Sequence, residues 1–272
     1  MNMKLGEVEF TIFDTETTGL EPESGDRIVE IAAIRFMGAQ TLATFQSLVD
    51  PCRQISPAAF AVNRITSDML LDAPRIEAVM PEFLRFIAGS CLCSYNAPFD
   101  LGFLDNEIRL CGLKALGDIR VADILKMARR LLPGLERYSL WFVAGKLGIE
   151  NKQEHRALSD VQMEREVFSK LIELLNVKGI ADFESFLSLF GVNKSIAEEI
   201  NNQKISRIQE AIGLGVKLKI KYISSNAAIS EREVVPKEII RENNRAYLVG
   251  HCCLRNEERT FRIDGILHLE IL

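Results

Sequence analysis

Two acidic residues stand two positions apart where an apolar stretch ends. Residues 8–13 (VEFTIF) predict a buried strand, and Asp14 and Glu16 follow within FDTETTGL. On a strand such side chains share a face, about 7 Å apart. Two carboxylates at that spacing repel unless a cation lies between them, and hard divalent cations prefer oxygen ligands. The pair is therefore a candidate metal site, although this stretch alone leaves a solvated strand end equally open.

Two later motifs carry residues of the same chemistry. Asp100 ends YNAPFD and is predicted in the first turn of a helix, where an acid also favours the helix dipole. His155 and Asp160 lie in HRALSD, with Asp160 in the first turn of a helix and His155 on the loop before it. A loop histidine can accept a proton from water. Taken singly, each residue also fits an ordinary surface position.

In order and spacing, D-x-E, N-x-x-F-D and H-x-x-x-x-D together resemble the DEDDh family of 3′→5′ exonucleases. The proofreading subunit of bacterial DNA polymerase III belongs to this family. The resemblance covers roughly residues 7–175 and includes ITSDML and LPGLERYSLWFVAGKLGI. It implies a ribonuclease H-like fold.

The resemblance also implies a role for each site residue. Asp14, Glu16, Asp100 and Asp160 would hold two divalent ions, Mg²⁺ or Mn²⁺, and His155 would be the general base. The implied contacts of the terminal nucleotide are Thr15, Thr17, Leu20, Asn63 and Phe99. One departure concerns Asn63-Arg64, because many relatives carry His-Gly there, so the substrate preference of this region is open.

The elements that must position these residues follow from periodicity. Residues 7–16, 27–37 and 41–49 predict three successive strands, and strands and helices alternate after them. This order predicts an α/β domain around a mixed sheet flanked by helices, over residues 1–176. Residues 177–204 predict a helical spacer. Residues 205–272 contain several short strand patterns and predict a second, β-rich domain.

The second domain has a resemblance of its own. Tyr222, Arg232, Pro236, residues 245–252 and residues 259–266 are similar to a WYL domain, which implies a small Sm-like β-barrel. Two positions depart from that family: Ala246 replaces its tryptophan, and Gly265 replaces an arginine. The candidate residues for an anionic ligand are Arg232, His251, Arg255 and Arg262. A barrel used only for docking or dimerisation is the alternative.

Composition limits the class of protein. The chain has 272 residues, 47% hydrophobic and 26% charged, with a net charge of −5. That charge argues against a protein that coats nucleic acid through overall positive charge. The six cysteines include no C-x-x-C pair, so a zinc site or a disulfide framework is not expected. The N-terminus lacks a signal core and no apolar run approaches a membrane span, so the prediction is a cytoplasmic protein without membrane contact.

These observations predict a metal-dependent 3′→5′ exonuclease that releases nucleoside monophosphates from single-stranded ends, with DNA favoured over RNA. A replication or repair protein is the expected protein partner. The rival hypothesis is a WYL-type ligand- or nucleic-acid-binding regulatory protein whose nuclease fold is catalytically silent. The complete set of four acids and one histidine argues against silence.

Overall fold

The computed structural model describes residues 3–117, 119–150, 156–192, 194–243 and 245–272, with the main chain alone at 194–197. Its strands are β1 (Glu9–Thr17), β2 (Ile28–Met37), β3 (Gln40–Leu48), β4 (Cys91–Ser94), β5 (Val121–Asp123), β6 (Leu218–Ile223), β7 (Ile229–Glu242), β8 (Arg245–Cys252), β9 (Glu257–Arg262) and β10 (Ile266–Ile271). Its α-helices are α1 (Pro57–Asn63), α2 (Ile76–Ile87), α3 (Ala97–Leu110), α4 (Ile124–Leu131), α5 (Leu140–Lys146), α6 (Ala157–Val177), α7 (Phe183–Phe190) and α8 (Lys194–Leu214).

The first sheet is mixed, as the sequence predicts. Its strand order is β3-β2-β1-β4-β5; the β3–β2 and β2–β1 pairs are antiparallel, and the β1–β4 and β4–β5 pairs are parallel. The central strand β1 is buried on both faces because helices cover both. Phe10 and Ile12 face a core formed with α4, α5, α6 and α7, whereas Phe13 faces a core formed with α2 and α3.

Helix α7 belongs to the core of the first sheet. Phe186 and Phe190 are fully buried, and Phe186 lies 5.6 Å from Phe10 and 6.1 Å from Phe168, measured between ring centroids. The segment 177–204 is helical for most of its described length, and its first helix completes the packing of the sheet. The exact division into domains stays a prediction.

The second domain is β-rich, as predicted. Its five strands form an antiparallel sheet with the order β10-β6-β7-β8-β9. Strand β7 changes register between Pro236 and Glu238, which bends this long strand. Leu218, Ile220 and Val234 face a separate core that α8 covers through Ile208 and Ala211. Closure of the sheet into an Sm-like barrel stays a prediction.

The two sheets are joined by buried contacts. Ile223 and Ala227 from the second sheet lie in the first core. The Arg130 side chain on α4 donates to the Ile223 carbonyl at 3.4 Å, and Lys178 donates to the Ala227 carbonyl at 2.8 Å. The second domain is thus packed against the first.

Charge also crosses this junction. Burial raises the pKa of Asp264, but the hydrogen bond from Arg262 and the positive charges of Arg262, Arg130 and Lys126 lower it overall, below its ordinary value. Lys126 and Arg130 lie on α4, and Asp264 lies in the turn before β10. Among the described residues, no helix has both the length and the apolar character that a membrane crossing needs.

Candidate active site

Strand β1 presents its acids in two directions. Asp14 and Glu16 are half-buried and point to the α6 side, in phase with Phe10 and Ile12. Thr15 points to the α3 side, where its backbone N–H and its hydroxyl donate to Asp100 Oδ1 at 3.1 and 2.8 Å. Because successive side chains of a strand point to opposite faces, Asp14 and Glu16 face α6 whereas Thr15, between them, faces α3.

Helix α3 delivers Asp100. Asn96 adopts the left-handed conformation (φ 72°, ψ 50°) just before the helix, a geometry that asparagine tolerates better than most residues. Asp100 then falls in the first turn and is 2% exposed. Ser94 at the end of β4 donates to its Oδ2 at 2.5 Å. Protein donors therefore hold both oxygens of this carboxylate.

Helix α6 delivers Asp160 to the same end of the sheet. Asp160 is 9% exposed and lies in the first turn. Carboxylate oxygens of Asp14, Glu16 and Asp160 all lie within 4.8 Å of one another. The structure thus brings three of the four predicted acids together, with Asp100 directly behind them. His155 lies outside the described residues, one position before Arg156.

The electrostatics of the cluster favour a bound cation. Burial raises the pKa of Asp14 well above its usual range, and the charges of Asp100, Glu16 and Asp160 raise it further. Burial and neighbouring negative charges raise the pKa of Glu16 to about 8. Burial raises the pKa of Asp100 to about 6, although hydrogen bonds from Ser94 and Thr15 oppose the rise. Crowded carboxylate oxygens of this kind fit a hard divalent cation, which removes their repulsion.

A buried ion pair fixes the start of α6. Glu30 on β2 is fully buried, and the Arg156 guanidinium donates to its two oxygens at 3.0 and 2.8 Å. The Ala157 N–H and the Gln46 amide donate to the same carboxylate at 3.2 and 3.0 Å. Burial raises the pKa of Glu30, but these bonds lower it overall. Sequence reasoning missed this anchor, whose one signal is a lone acid within the apolar stretch RIVEIAAIRFM.

A second buried acid was also missed. Glu164 lies one turn after Asp160, is 1% exposed, and accepts a hydrogen bond from the Tyr95 backbone N–H at 3.2 Å. Burial and the charges of Asp14 and Asp100 raise its pKa well above the usual range, which favours its protonated form. Its sequence signal is its spacing with Val161 and Phe168 on the apolar face of α6.

The residues expected at the terminal nucleotide differ in exposure. Leu20 is 75% exposed. Thr17 is buried and donates to the Gly19 carbonyl at 2.6 Å. Asn63 is 1% exposed; its amide donates to the Thr17 carbonyl at 3.2 Å and accepts from the Ile65 N–H at 3.1 Å. Asn63 thus braces the end of β1 through its side chain.

Two further positions border this region. Phe99 is half-buried and packs on Phe103, with ring centroids 5.1 Å apart. Arg64 is exposed and caps α1 in the left-handed conformation (φ 55°). Leu20 is therefore the most exposed of the five predicted nucleotide contacts, and the interactions recorded for Thr15, Thr17 and Asn63 are with the protein itself.

The four anion-ligand candidates of the second domain do not form one cluster of contacts. Arg262 is paired with Asp264 at the domain junction. Arg232 lies on the inward face of β7, beside Ile220 in register, and donates to Ser230 at 3.0 Å. His251 contacts Asn256 at 3.2 Å, and Arg255 is exposed.

Comparison with known families identifies the class of protein. The family model described as Exonuclease matches residues 11–168, and the model described as WYL domain matches residues 203–271. The chain belongs to the exonuclease family. Its second domain matches the WYL family, as the sequence resemblance predicts.

Curated relatives agree with this assignment. The DNA polymerase III subunit epsilon of Treponema pallidum (strain Nichols) is 41% identical over 167 residues, covering 61% of this chain and 77% of that relative. The PolC-type DNA polymerase III of Thermotoga maritima is 31% identical over 274 aligned residues, covering 98% of this chain. The chain spans only 19% of the length of that second relative.

Solved structures show the same fold. Exonuclease I in its apo form superposes with a TM-score of 0.54 at 16% identity, covering 95% of this chain and 63% of that one. A full-length 3′-exonuclease superposes with a TM-score of 0.55 at 19% identity, covering 65% and 84%. The predicted ribonuclease H-like fold is confirmed. The family match and the 41%-identical relative confirm the prediction of an enzyme of the 3′→5′ exonuclease class. The three-acid cluster fits the divalent metal that an exonuclease fold implies.

Proposed function

We propose that this exonuclease removes nucleoside monophosphates from the 3′ end of single-stranded DNA, with two Mg²⁺ or Mn²⁺ ions and a histidine base. The observation that carries the proposal is the cluster of Asp14, Glu16 and Asp160, whose oxygens lie within 4.8 Å of one another. Asp100 stands directly behind it, held by Thr15 and Ser94.

Each residue has a distinct task in this mechanism. Asp14, Glu16 and Asp160 would hold the metal ions, and Asp100 would contribute a carboxylate that Thr15 and Ser94 keep in a fixed orientation. When bound, two such ions activate a water and stabilise the leaving 3′ oxygen. His155 takes the proton from that water, a step worth roughly 10²–10⁴-fold in rate. The Glu30–Arg156 pair fixes the residue that follows His155.

The proposed substrate follows from the cleft and from the relatives. Leu20 is exposed in the turn after β1, the strand that carries Asp14 and Glu16, and would wedge against the terminal base. Thr15, Thr17, Asn63 and Phe99 are the other proposed contacts, and Asn63 is bonded to the Thr17 carbonyl. Two relatives are named as DNA polymerase III proteins, which supports DNA as substrate and a replication or repair protein as partner. The proposed accessory unit, 205–272, would bind an anionic group through Arg232, His251 or Arg255.

The deciding experiment uses single strands labelled at the 3′ or the 5′ end, incubated with Mg²⁺. The expected result is immediate release of the 3′ label as mononucleotide and a shortening ladder from the 5′ label. Asp14→Asn should abolish both, whereas Asp72→Asn, which removes an exposed acid elsewhere, should behave as wild type. A ladder that survives Asp14→Asn would contradict the proposed site, and a wild-type protein that gives no ladder would leave the regulatory alternative with a silent nuclease fold.

A second experiment addresses the sugar. RNA of identical sequence should be degraded more slowly than DNA, because discrimination rests on contacts at the 2′ position. Equal turnover of the two strands would remove the preference for DNA while leaving the exonuclease assignment intact.

A further inference from the structure

Helix α5 carries one exposed aromatic residue, Trp141, beside a half-buried one, Phe142. Val143 and Ala144 are fully buried in the first core, and Leu140 and Leu147 pack against that core at helical spacing. The opposite side of the helix carries Trp141 and Phe142 as neighbours in sequence. Trp141 is 44% exposed and is the one tryptophan of the chain.

Two cations lie over the Phe142 ring. The Arg137 guanidinium lies 5.7 Å from the centroid of the Phe142 ring, and the Lys146 ammonium lies 5.2 Å from it. Trp141 and Phe142 meet edge to face, with centroids 5.8 Å apart. Glu136 is the acid nearest to Arg137, at 3.7 Å, and both side chains are well exposed. We call Arg137, Trp141, Phe142 and Lys146 the α5 patch.

The α5 patch lies close to the catalytic end of the sheet. Helix α5 packs against α6, the helix whose first turn holds Asp160. Just before α5, the Tyr138 carbonyl accepts a hydrogen bond from the Tyr95 hydroxyl at 2.8 Å. Tyr95 follows Ser94, the residue that donates to Asp100. The start of α5 is therefore tied to the end of β4, the part of the sheet that holds Asp100.

The chemistry of the α5 patch matches one kind of occupant. Exposed aromatic faces interleaved with cations bind single-stranded nucleic acid, because bases stack on the rings and phosphates pair with the charges. A duplex offers no free base faces for such stacking. An overall charge of −5 also makes a local cationic patch the natural route for a polyanion.

We infer that the α5 patch is a stacking platform for the bases upstream of the 3′ end. Trp141 is the stacking residue, and Phe142, whose ring lies under Arg137 and Lys146, supports it edge to face. The inference rests on the proposed exonuclease function and adds a specificity surface outside the metal site. It predicts that strands long enough to reach α5 bind more tightly than a mononucleotide.

Trp141 is the one tryptophan of the chain, so tryptophan fluorescence reports on the platform directly. The Asp14→Asn variant in EDTA is titrated with oligothymidylate of roughly 12 nucleotides, within the length that one such site covers. Saturable quenching of Trp141 is expected, and it should weaken as salt rises. An oligonucleotide that binds without changing Trp141 fluorescence would overturn the inference.

Kinetics separate the platform from the catalytic centre. Trp141→Ala should leave hydrolysis of a nitrophenyl ester of thymidine monophosphate unchanged, because that substrate ends at the metal site. For the oligonucleotide, KM should rise about tenfold, in line with the loss of one stacked base. Leu110→Ala, an exposed apolar change at the far end of α3, is the matched control and should alter neither.

The two proposals fail in different ways. A wild-type protein that cleaves neither the ester nor the oligonucleotide contradicts the proposed function. A Trp141→Ala, Phe142→Ala double variant with wild-type KM on the oligonucleotide contradicts the platform alone. Loss of ester hydrolysis in that variant would instead assign the aromatic pair a purely structural role and also overturn the inference.

Discussion

At the scale of single residues, the Glu30–Arg156 pair carries the first prediction. Glu30→Gln removes the charge that holds Arg156, so the residue beside His155 loses its anchor. Breaking a buried pair on one side costs about 3–5 kcal/mol of unfolding free energy. We expect kcat to fall about 10- to 100-fold, the range for lost support of a catalytic ligand, with a smaller change in KM.

Glu107→Gln is the matched control for that experiment. Glu107 is 1% exposed and accepts two bonds of 2.8 Å from Arg27, so the variant breaks a pair of the same geometry and burial. Both variants are compared below the temperature at which either unfolds. An equal loss of kcat in the two would show that Glu30 acts only through stability.

The pKa of Glu16 gives a second prediction. Because that pKa is raised to about 8, Glu16 must release a proton before it binds a metal. Apparent Mg²⁺ affinity, measured by calorimetry, should fall about tenfold for each pH unit below 8 where one proton is displaced. Glu16→Gln should bind Mg²⁺ more weakly and with a shallower pH dependence.

The same shift has a definite sign for stability. Between the ordinary pKa of Glu, about 4.3, and the folded value of about 8, the folded protein binds more protons than the unfolded chain. Stability of the metal-free protein therefore falls as pH rises through this window. Thermal melting should occur at a higher temperature at pH 5 than at pH 8, and Mg²⁺ should reverse that order. A metal-free protein that is more stable at pH 8 would contradict the prediction.

At the scale of elements, the turn after β1 depends on one glycine. A Cβ on Gly19 would lie 2.2 Å from Asp26 Oδ2, far inside contact distance. Asp26 accepts hydrogen bonds from the Thr18 hydroxyl at 2.9 Å and from the Glu21 N–H at 3.1 Å, so it cannot move without unravelling the turn. Gly19→Ala should therefore displace Leu20.

We expect Gly19→Ala to raise KM for an oligonucleotide at least several-fold and to leave Mg²⁺ affinity close to wild type. Steady-state kinetics and calorimetry on the same preparation test this. Gly6→Ala is the control, because a Cβ there meets no atom within 4 Å. If both variants kept the wild-type KM, the turn would have no part in substrate binding.

The elements that the sequence predicts well are those with a local signal. Strands predicted at 27–37 and 41–49 are found at Ile28–Met37 and Gln40–Leu48, because the apolar and β-branched pattern is strong. The sequence could place Asp14, Glu16 and Asp160 because each lies near the end of a predicted strand or in the first turn of a predicted helix. Local pattern cannot reveal partners distant in sequence, so the pairing of Glu30 with Arg156 and the burial of α7 against Phe10 were out of reach.

At the scale of the whole molecule, α7 joins the first core, and this gives the fourth prediction. Phe186 is fully buried among Phe10, Phe168 and Phe190. Phe186→Ala should lower the unfolding free energy by about 3–5 kcal/mol, the usual cost for a buried aromatic side chain. Urea denaturation measures it.

The control is Phe60→Ala, which removes a phenylalanine that is 45% exposed and should lower the unfolding free energy by under about 1 kcal/mol.

A chain ending at residue 176 lacks α7 entirely, so it should fail to fold even though it retains all five residues of the proposed site. A stable, active 1–176 fragment would contradict the assignment of α7 to the core.

The charges at the junction between the two sheets predict a pattern of sequence variation among related proteins. Lys126 and Arg130 on α4 interact with the Asp264 carboxylate across the boundary. Exchange of the second domain for another of the same family would leave those two cations without that counter-charge. Positions 126, 130 and 264 should therefore co-vary among relatives that carry both domains, whereas positions 126 and 130 should vary independently of each other in relatives that carry the nuclease alone.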